Sequence, residues 1–295
     1  MLRFTNILAV CLLMGLLMNA CAAEDPPTPT DLTPTAAAEP ALAPTAAAPG
    51  HTPAATYMPL PTILPDSGWA VLRPGLERRI LNQLNAAGQS LERIYILRLD
   101  PAAFTFNVAY HPDPRTLEVW QVETGALVVV NGGYYRMEKD KAVPTGLTVI
   151  NGQPSGASYG PFAGMFTVTA DGPGLRWLER QPYDPSEPLI AALQSFPILV
   201  KPGGVEGFPA SAEDNQPARR TAVARDTSGR ILFIIAQKGR FTLHTFSDFL
   251  TVSDLSLDFA INLDGGPSSG LLLADPREQI PAFTPLPIVI TVKPR

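Results

Sequence analysis

The sequence predicts an α+β protein of large mixed or antiparallel β-sheets with a few helices, folded as a single globular domain over residues 67–295. Three observations lead there. Short apolar runs, alternating or continuous, outnumber helical periods. Turn signals such as Asn151-Gly152 and residues 226–229 separate those runs at hairpin spacing. Clear helical stripes occur only around residues 116–124 and 241–250.

The chain has 295 residues, 45% of them hydrophobic, which is ample for a core. Residues 1–20 read as an export signal. Arg3 gives a short basic start, residues 7–18 form an apolar run too short to span a membrane comfortably, and small Ala20 precedes Cys21. The ending Met18-Asn19-Ala20-Cys21 resembles a bacterial lipobox, so Cys21 is the expected lipidation site and mature N-terminus; plain cleavage after Ala20 or Ala23 is the alternative. Cys11, the other cysteine, leaves with the signal, so neither an internal disulfide nor a cysteine-based metal site is expected. Residues 21–66 change composition abruptly. Eleven prolines lie between Pro26 and Pro65 among Ala and Thr, without an apolar period. Such a segment is expected as an extended, disordered tether. The protein is thus expected outside the cytoplasm, anchored to a membrane through Cys21.

The remaining elements follow in order. Residues 76–84 fit a short helix or a strand equally well. Residues 94–99 and 104–110 read as strands joined at Asp100-Pro101, with Phe104, Phe106, Val108 and Tyr110 on one face. Residues 116–124 form a helix that turns Leu117 and Trp120 inward and stops at Gly125. The apolar run 126–130 is a strand buried on both faces. Residues 146–150 and 165–169 are strands, each ending in a glycine turn. Residues 189–200 form an apolar run carrying Gln194-Ser195-Phe196-Pro197, and 203–217 an exposed loop. Residues 219–225 and 231–236 make a hairpin in which Arg220 is either a surface cation or an anion clamp. In the second helix His244 lies off the apolar stripe and is expected at the surface. Residues 285–292 form a last strand, at an edge or closing the sheet.

The chain is organised around residues 259–269. Phe259, Ile261 and Leu263 alternate with Ala260, Asn262 and Asp264, and Gly265-Gly266-Pro267 then ends the strand. Asp264 is expected at the lip of a sheet, beside exposed backbone N–H groups and the hydroxyls of Ser268 and Ser269; a plain turn is the bland alternative. Strand 126–130 repeats this logic in Asn131-Gly132-Gly133.

Composition excludes much. A net charge of −5 and a pI near 5.3 argue against a nucleic-acid partner. The three histidines, His51, His111 and His244, form no zinc-ligand spacing. No Gly-x-Ser-x-Gly elbow is expected, and no plausible histidine partner serves a serine triad. No Walker or dinucleotide loop is present. Carboxylate, amide, arginine and backbone chemistry remain, a set suited to glycosyl or phosphate-ester substrates.

Five stretches then match in order: Val130-Asn131-Gly132-Gly133-Tyr134-Tyr135; Pro144-Thr145-Gly146-Leu147 before Asn151-Gly152; Gln194-Ser195-Phe196-Pro197; Arg220-Thr221 before a hairpin; and residues 262–269. Together they resemble the phosphodiester glycosidase family, over about residues 69–273. The chain departs from that pattern at Pro267 and Ala224, where the family more often has glycine, and at Phe196 in its Gln-Ser-Gly-Pro motif. The first and last of these stiffen or narrow the site and bear on substrate identity more than on fold.

The resemblance implies cleavage of a sugar–phosphate linkage at the anomeric carbon, with catalytic roles for Asp264, Arg220 and Asn131. Gly132, Gly133, Tyr134, Gln194, Thr221, Asn262, Gly265, Gly266 and Ser268 are the implied substrate-binding residues, the glycines through backbone anion nests. Glu138, Asp140 and Asp171 are candidates for a second carboxylate. No cofactor and no metal site is expected, although a divalent cation on Asp264 stays open. The expected partners are a glycosyl-phosphate or glycan substrate and the membrane. The function is that of an exported hydrolase of cell-envelope or exopolysaccharide polymers; the alternative is a non-catalytic glycan- or anion-binding envelope lipoprotein.

Overall fold

A computed structural model describes residues 63–213 and 215–295. The expected signal, Cys21 and nearly all of the tether lie outside the described residues. Among the described residues there are an eight-stranded sheet, two five-stranded sheets and a two-stranded hairpin, with two α-helices. Every strand pair among the described residues is antiparallel, which settles the choice between mixed and antiparallel sheets.

Period-two alternation builds the large sheet, ordered Ala70–Arg73, Leu76–Leu84, Ser90–Leu99, Ile231–Phe241, Ala218–Asp226, Leu257–Asn262, Ile198–Lys201 and Val205–Glu206. Tyr95, Leu97, Val223, Phe233, Ile235, Phe259 and Ile261 face one way, into the main core. Ile94, Ile96, Ala222, Ala224, Leu232, Ile234 and Ala260 face the other way, toward helix Leu243–Val252 through Phe246 and Leu250. Successive side chains on a strand point to opposite faces, so each strand serves both layers.

The second sheet is ordered Arg277–Ile280, Leu271–Ala274, Val128–Asn131, Leu286–Pro294 and Phe104–Arg115. Its Phe104, Phe106, Val108, Val128, Val130, Ile288 and Ile290 close the same core from the other side. Helix Leu117–Thr124 covers its outer face with Leu117 and Trp120. Gly125, left-handed at φ 62°, ends that helix as expected, and Thr116, expected within it, caps its start instead. The third sheet adds Phe166, Val168 and Leu193 to the core.

Several expectations are corrected. Leu76–Leu84 is a strand, paired along its length with Ser90–Leu99; ladder formation decides where local propensity did not. The run 189–200 is two strands, Ala191–Ser195 and Ile198–Lys201, in different sheets, with Phe196-Pro197 between them. Pro197 has no N–H to continue a ladder. Leu286–Pro294 is an interior strand, paired on both sides. The loop 203–217 contains a short strand, Val205–Glu206, and a 3-10 turn, Ala210–Ala212. His244 is half-buried rather than exposed, beside Glu206 and the Phe208 carbonyl. Contacts with the sheet begin at Leu64, slightly before the expected boundary. The Leu64 and Pro65 carbonyls accept from Asn82, and Asp66 pairs with Arg79.

Candidate active site

The two glycine turns that resembled each other in sequence meet in space. Strand Val128–Asn131 and strand Leu257–Asn262 belong to different sheets, and their C-terminal ends converge. The Asp264 N–H donates to the Gly132 carbonyl at 3.0 Å, and Asn131 Nδ2 donates to the Asp264 carbonyl at 2.7 Å. Thr221 joins from a third strand: its carbonyl accepts from Leu263 N at 2.8 Å, and its hydroxyl donates to Asn131 Oδ1 at 2.9 Å. The segment after Ser195 completes the ring. The Pro197 carbonyl accepts from Asn262 N, and the Phe196 carbonyl accepts from Asn262 Nδ2 at 3.2 Å.

Glycine is required where this junction is tightest. A Cβ on Gly132 would lie 2.7 Å from Ile288 Cγ2, and one on Gly265 would lie 2.9 Å from the Arg219 carbonyl. The same Cβ on Gly265 would stand 4.0 Å from Arg220 Nη1, which places that guanidinium against the Asp264 turn. Arg220 is 8% exposed, so it is not a surface cation. Its Nε donates to the Phe241 carbonyl at 3.1 Å and its Nη2 to the Gln216 carbonyl at 2.5 Å.

Asp264 is half-buried. Burial raises its carboxyl pKa above the ordinary value, against hydrogen bonds from Ser268 and from Gly265 N, the latter 2.9 Å from Oδ1. Tyr134 lies alongside. Its hydroxyl accepts from Asn262 Nδ2 at 2.7 Å. Burial and the Asp264 charge push its pKa up to about 12, although Arg220 and Asn262 oppose them. Tyr134 therefore keeps its proton at neutral pH and can donate it to a ligand oxygen.

The expected residues differ in what their polar groups touch. Asn131 borders a narrow crevice beside Asp264, but its carboxamide is taken up within the junction: both Nδ2 hydrogens serve carbonyls, Gly132 and Asp264, and Oδ1 accepts from Thr221 and from Gly270 N. That exhausts a carboxamide's capacity, so Asn131 and Thr221 position the junction. Gln194 turns to Tyr159 N and Ser158 Oγ, and thereby fixes a loop. Gly132 N and Gly265 N are occupied by the Ile288 carbonyl and Asp264 Oδ1. Gly133 N and Gly266 N meet no acceptor among the described residues. Asn262 Oδ1 is buried and likewise without a partner.

Glu138, Asp140 and Asp171 are exposed and make no contact with the cluster; Glu138 pairs with Arg136. Two stretches do spell Gly-x-Ser-x-Gly, residues 156–160 and 266–270. Ser158 serves Gln194, Ser268 serves Asp264, and neither bonds a histidine, so the pattern carries no triad. Among the described residues no three His, Cys, Asp or Glu side chains converge as metal ligands.

That narrow crevice, with no room for a water molecule, also borders Gly133, Tyr135, Asp264 and Ser268. A larger cleft of about 540 Å³, open to solvent, lies between Phe104–Arg115 and Gly164–Trp177. The smaller one adjoins the converging polar groups and marks the site. Sequence reasoning missed one part of it. Tyr159 and Phe162, in a loop with no strand or helix signal, cluster with Phe196 and Tyr134.

Fold and site define an antiparallel α+β protein with a carboxylate, an arginine and a tyrosine gathered where strands of two sheets end. The chain belongs to the phosphodiester glycosidase family, whose model matches residues 124–292. Among solved structures it is similar to the zebrafish N-acetylglucosamine-1-phosphodiester alpha-N-acetylglucosaminidase catalytic domain, auto-inhibited by its pro-peptide. That match has a TM-score of 0.59 at 20% identity and covers 76% of this chain and 85% of that one. It is also similar to a hypothetical protein from Synechocystis, with a TM-score of 0.52 at 14% identity over 75% of this chain and 62% of that one. No curated protein matches the chain by sequence.

Proposed function

We propose that this protein is an exported hydrolase that cleaves the bond between a sugar's anomeric carbon and a phosphodiester oxygen, releasing the sugar and a phosphomonoester. The observation that carries this reading is the junction of Asp264, Arg220 and Tyr134 at the two glycine turns. The leaving phosphomonoester has a second pKa of about 6 and departs without strong acid assistance. The demands on the protein are an anion clamp and a negative charge beside the cationic anomeric centre. Arg220, with the Gly133 and Gly266 N–H groups, takes the phosphate. The Asp264 carboxylate faces the anomeric carbon, and the Tyr134 hydroxyl donates to a substrate oxygen. Asn131, Thr221 and Gln194 hold these groups in place. Export and anchoring rest on the signal-like residues 1–20 and on Cys21, which put the substrate among cell-envelope or exopolysaccharide polymers.

The test is sugar release from a panel of sugar 1-phosphodiesters by the full chain, beside Asp264→Asn and Arg220→Ala. Release that both folded variants lose supports the reading. Binding of the panel with no product after long incubation supports a glycan- or anion-binding envelope lipoprotein instead. Retention of turnover in Asp264→Asn removes that carboxylate from the mechanism.

A further inference from the structure

We propose that Phe196, Tyr159, Phe162 and Tyr134 form an aromatic subsite that receives the pyranose ring of the substrate and sets its specificity. This rests on the reading of Asp264 and Arg220 as a sugar-phosphate site. Phe196 is the hub. Its ring centroid lies 4.9 Å from Tyr134, 5.1 Å from Tyr159 and 5.6 Å from Phe162, the last two edge to face. The four rings come from three separate segments, so the cluster is built by the fold. It is continuous with the polar junction, because Asn262 Nδ2 bonds both the Tyr134 hydroxyl and the Phe196 carbonyl.

The cluster is rigid where it meets the protein and open where it meets solvent. The Tyr159 hydroxyl bonds Thr145 Oγ1, and Tyr159 N donates to Gln194 Oε1 at 2.7 Å. A Cβ on Gly146 would collide with the Tyr159 ring, so that ring packs directly on backbone. Phe162, at the other end, is 57% exposed. An exposed phenylalanine packed on Phe196 and Tyr159 leaves apolar surface in water unless something covers it. A pyranose suits both halves of this surface. Its C–H face stacks on aromatic rings, while its hydroxyls reach toward the Tyr134 hydroxyl, which is itself held by Asn262 Nδ2. The occupant is therefore the sugar, with its phosphate toward Arg220.

Calorimetric titration of the full chain with five hexose 1-phosphates (of glucose, galactose, mannose, N-acetylglucosamine and N-acetylgalactosamine) and with inorganic phosphate tests this. At least one sugar phosphate is expected to bind about tenfold tighter than phosphate, the scale of a good aromatic contact. Phe162→Ala and Phe196→Leu are expected to remove that advantage and leave phosphate affinity within about twofold. Phe162→Ala alters an exposed side chain, and its melting curve checks the fold. The subsite is overturned if no sugar phosphate exceeds inorganic phosphate, if both variants keep the preference, or if phosphate affinity falls equally. Sugar release, measured separately, distinguishes the two readings. Loss of preference in the variants without any release by the wild type overturns the hydrolysis and keeps the subsite. Release unaffected in the variants does the reverse.

Discussion

Asp264 is held where its charge is costly. Burial raises its pKa above the ordinary carboxylate value of about 3.9. Below that ordinary value both the folded and the unfolded chain carry the proton, and the carboxyl does not oppose folding. Above the raised folded value the buried charge opposes it. Asp264→Asn keeps an acceptor for Gly265 N and carries no charge, so it is expected to melt higher than wild type at pH 7. That gain closes as pH falls to the ordinary carboxylate range. Turnover is expected to fall by at least about 100-fold in the same variant, and the acid limb of wild-type activity to lie above pH 3.9. Arg219 makes a contrasting case. It is 8% exposed, with Nε and Nη1 buried and without acceptors; Nη2 donates to the Pro281 carbonyl, and the guanidinium lies 4.3 Å over Phe283. Burial lowers its pKa. Arg219→Met is expected to stabilise by about 1 kcal/mol, because a partly satisfied buried cation gives way to apolar packing. A fall in the melting temperature would show that the guanidinium is satisfied after all.

At the level of elements, the junction depends on Asn131. Its carboxamide links Gly132, Asp264, Thr221 and Gly270; the Gly132 carbonyl keeps the Asp264 N–H, so Asn131→Ala leaves the Asp264 carbonyl, the Thr221 hydroxyl and the Gly270 N–H short of a partner. Losses of this kind cost about 1–3 kcal/mol each, less where the group relaxes toward water. A total of about 3 kcal/mol lowers the melting temperature by roughly 6–12 °C. Asn131→Ala is expected to lose activity through this displacement, with phosphate affinity and turnover falling together; a normal melting curve would contradict the positioning role. The same junction shows what sequence reading could reach. A strand followed by a polar residue and two glycines is local chemistry, and Asn131 and Asp264 were both legible from it. Their roles were not, because the partners that saturate Asn131 come from distant segments. Alternation likewise showed which residues of 257–263 share a face, but facing does not name a sheet. That is why 189–200 read as one run and 285–292 as a strand at an edge or closing the sheet. The aromatic cluster was invisible for a similar reason: Tyr159 and Phe162 lie in a loop whose meaning comes only from meeting Phe196.

Across the whole molecule, the acid response is set by carboxylates of the opposite sign to Asp264. Arg79, 8% exposed, binds Asp66 and Asp254 and so ties the start of the described chain to the large sheet. Arg225 binds Asp258 across neighbouring strands, and Arg176 holds Glu187 through two hydrogen bonds of 3.0 and 2.5 Å. In each case the arginine holds the carboxyl of Asp66, Asp258 or Glu187 below its ordinary pKa, against burial. A depressed carboxylate contributes stability that is fully present above its unfolded pKa, about 3.9 for Asp and 4.3 for Glu, and lost as pH falls through the folded value. Melting temperature is therefore expected to hold from pH 7 to about pH 5 and to fall steeply below about pH 4. Glu187→Gln isolates one such pair. It leaves Arg176, with a side chain 14% exposed, without its carboxylate, so the variant melts lower than wild type at pH 7 and converges with it in acid. Asp264→Asn differs from wild type in the opposite direction at pH 7 and also converges in acid. Melting curves of the three proteins between pH 2 and pH 7 check both signs together. A Glu187→Gln deficit that persisted unchanged at the acid end would mean that the side chain stabilises through packing rather than charge.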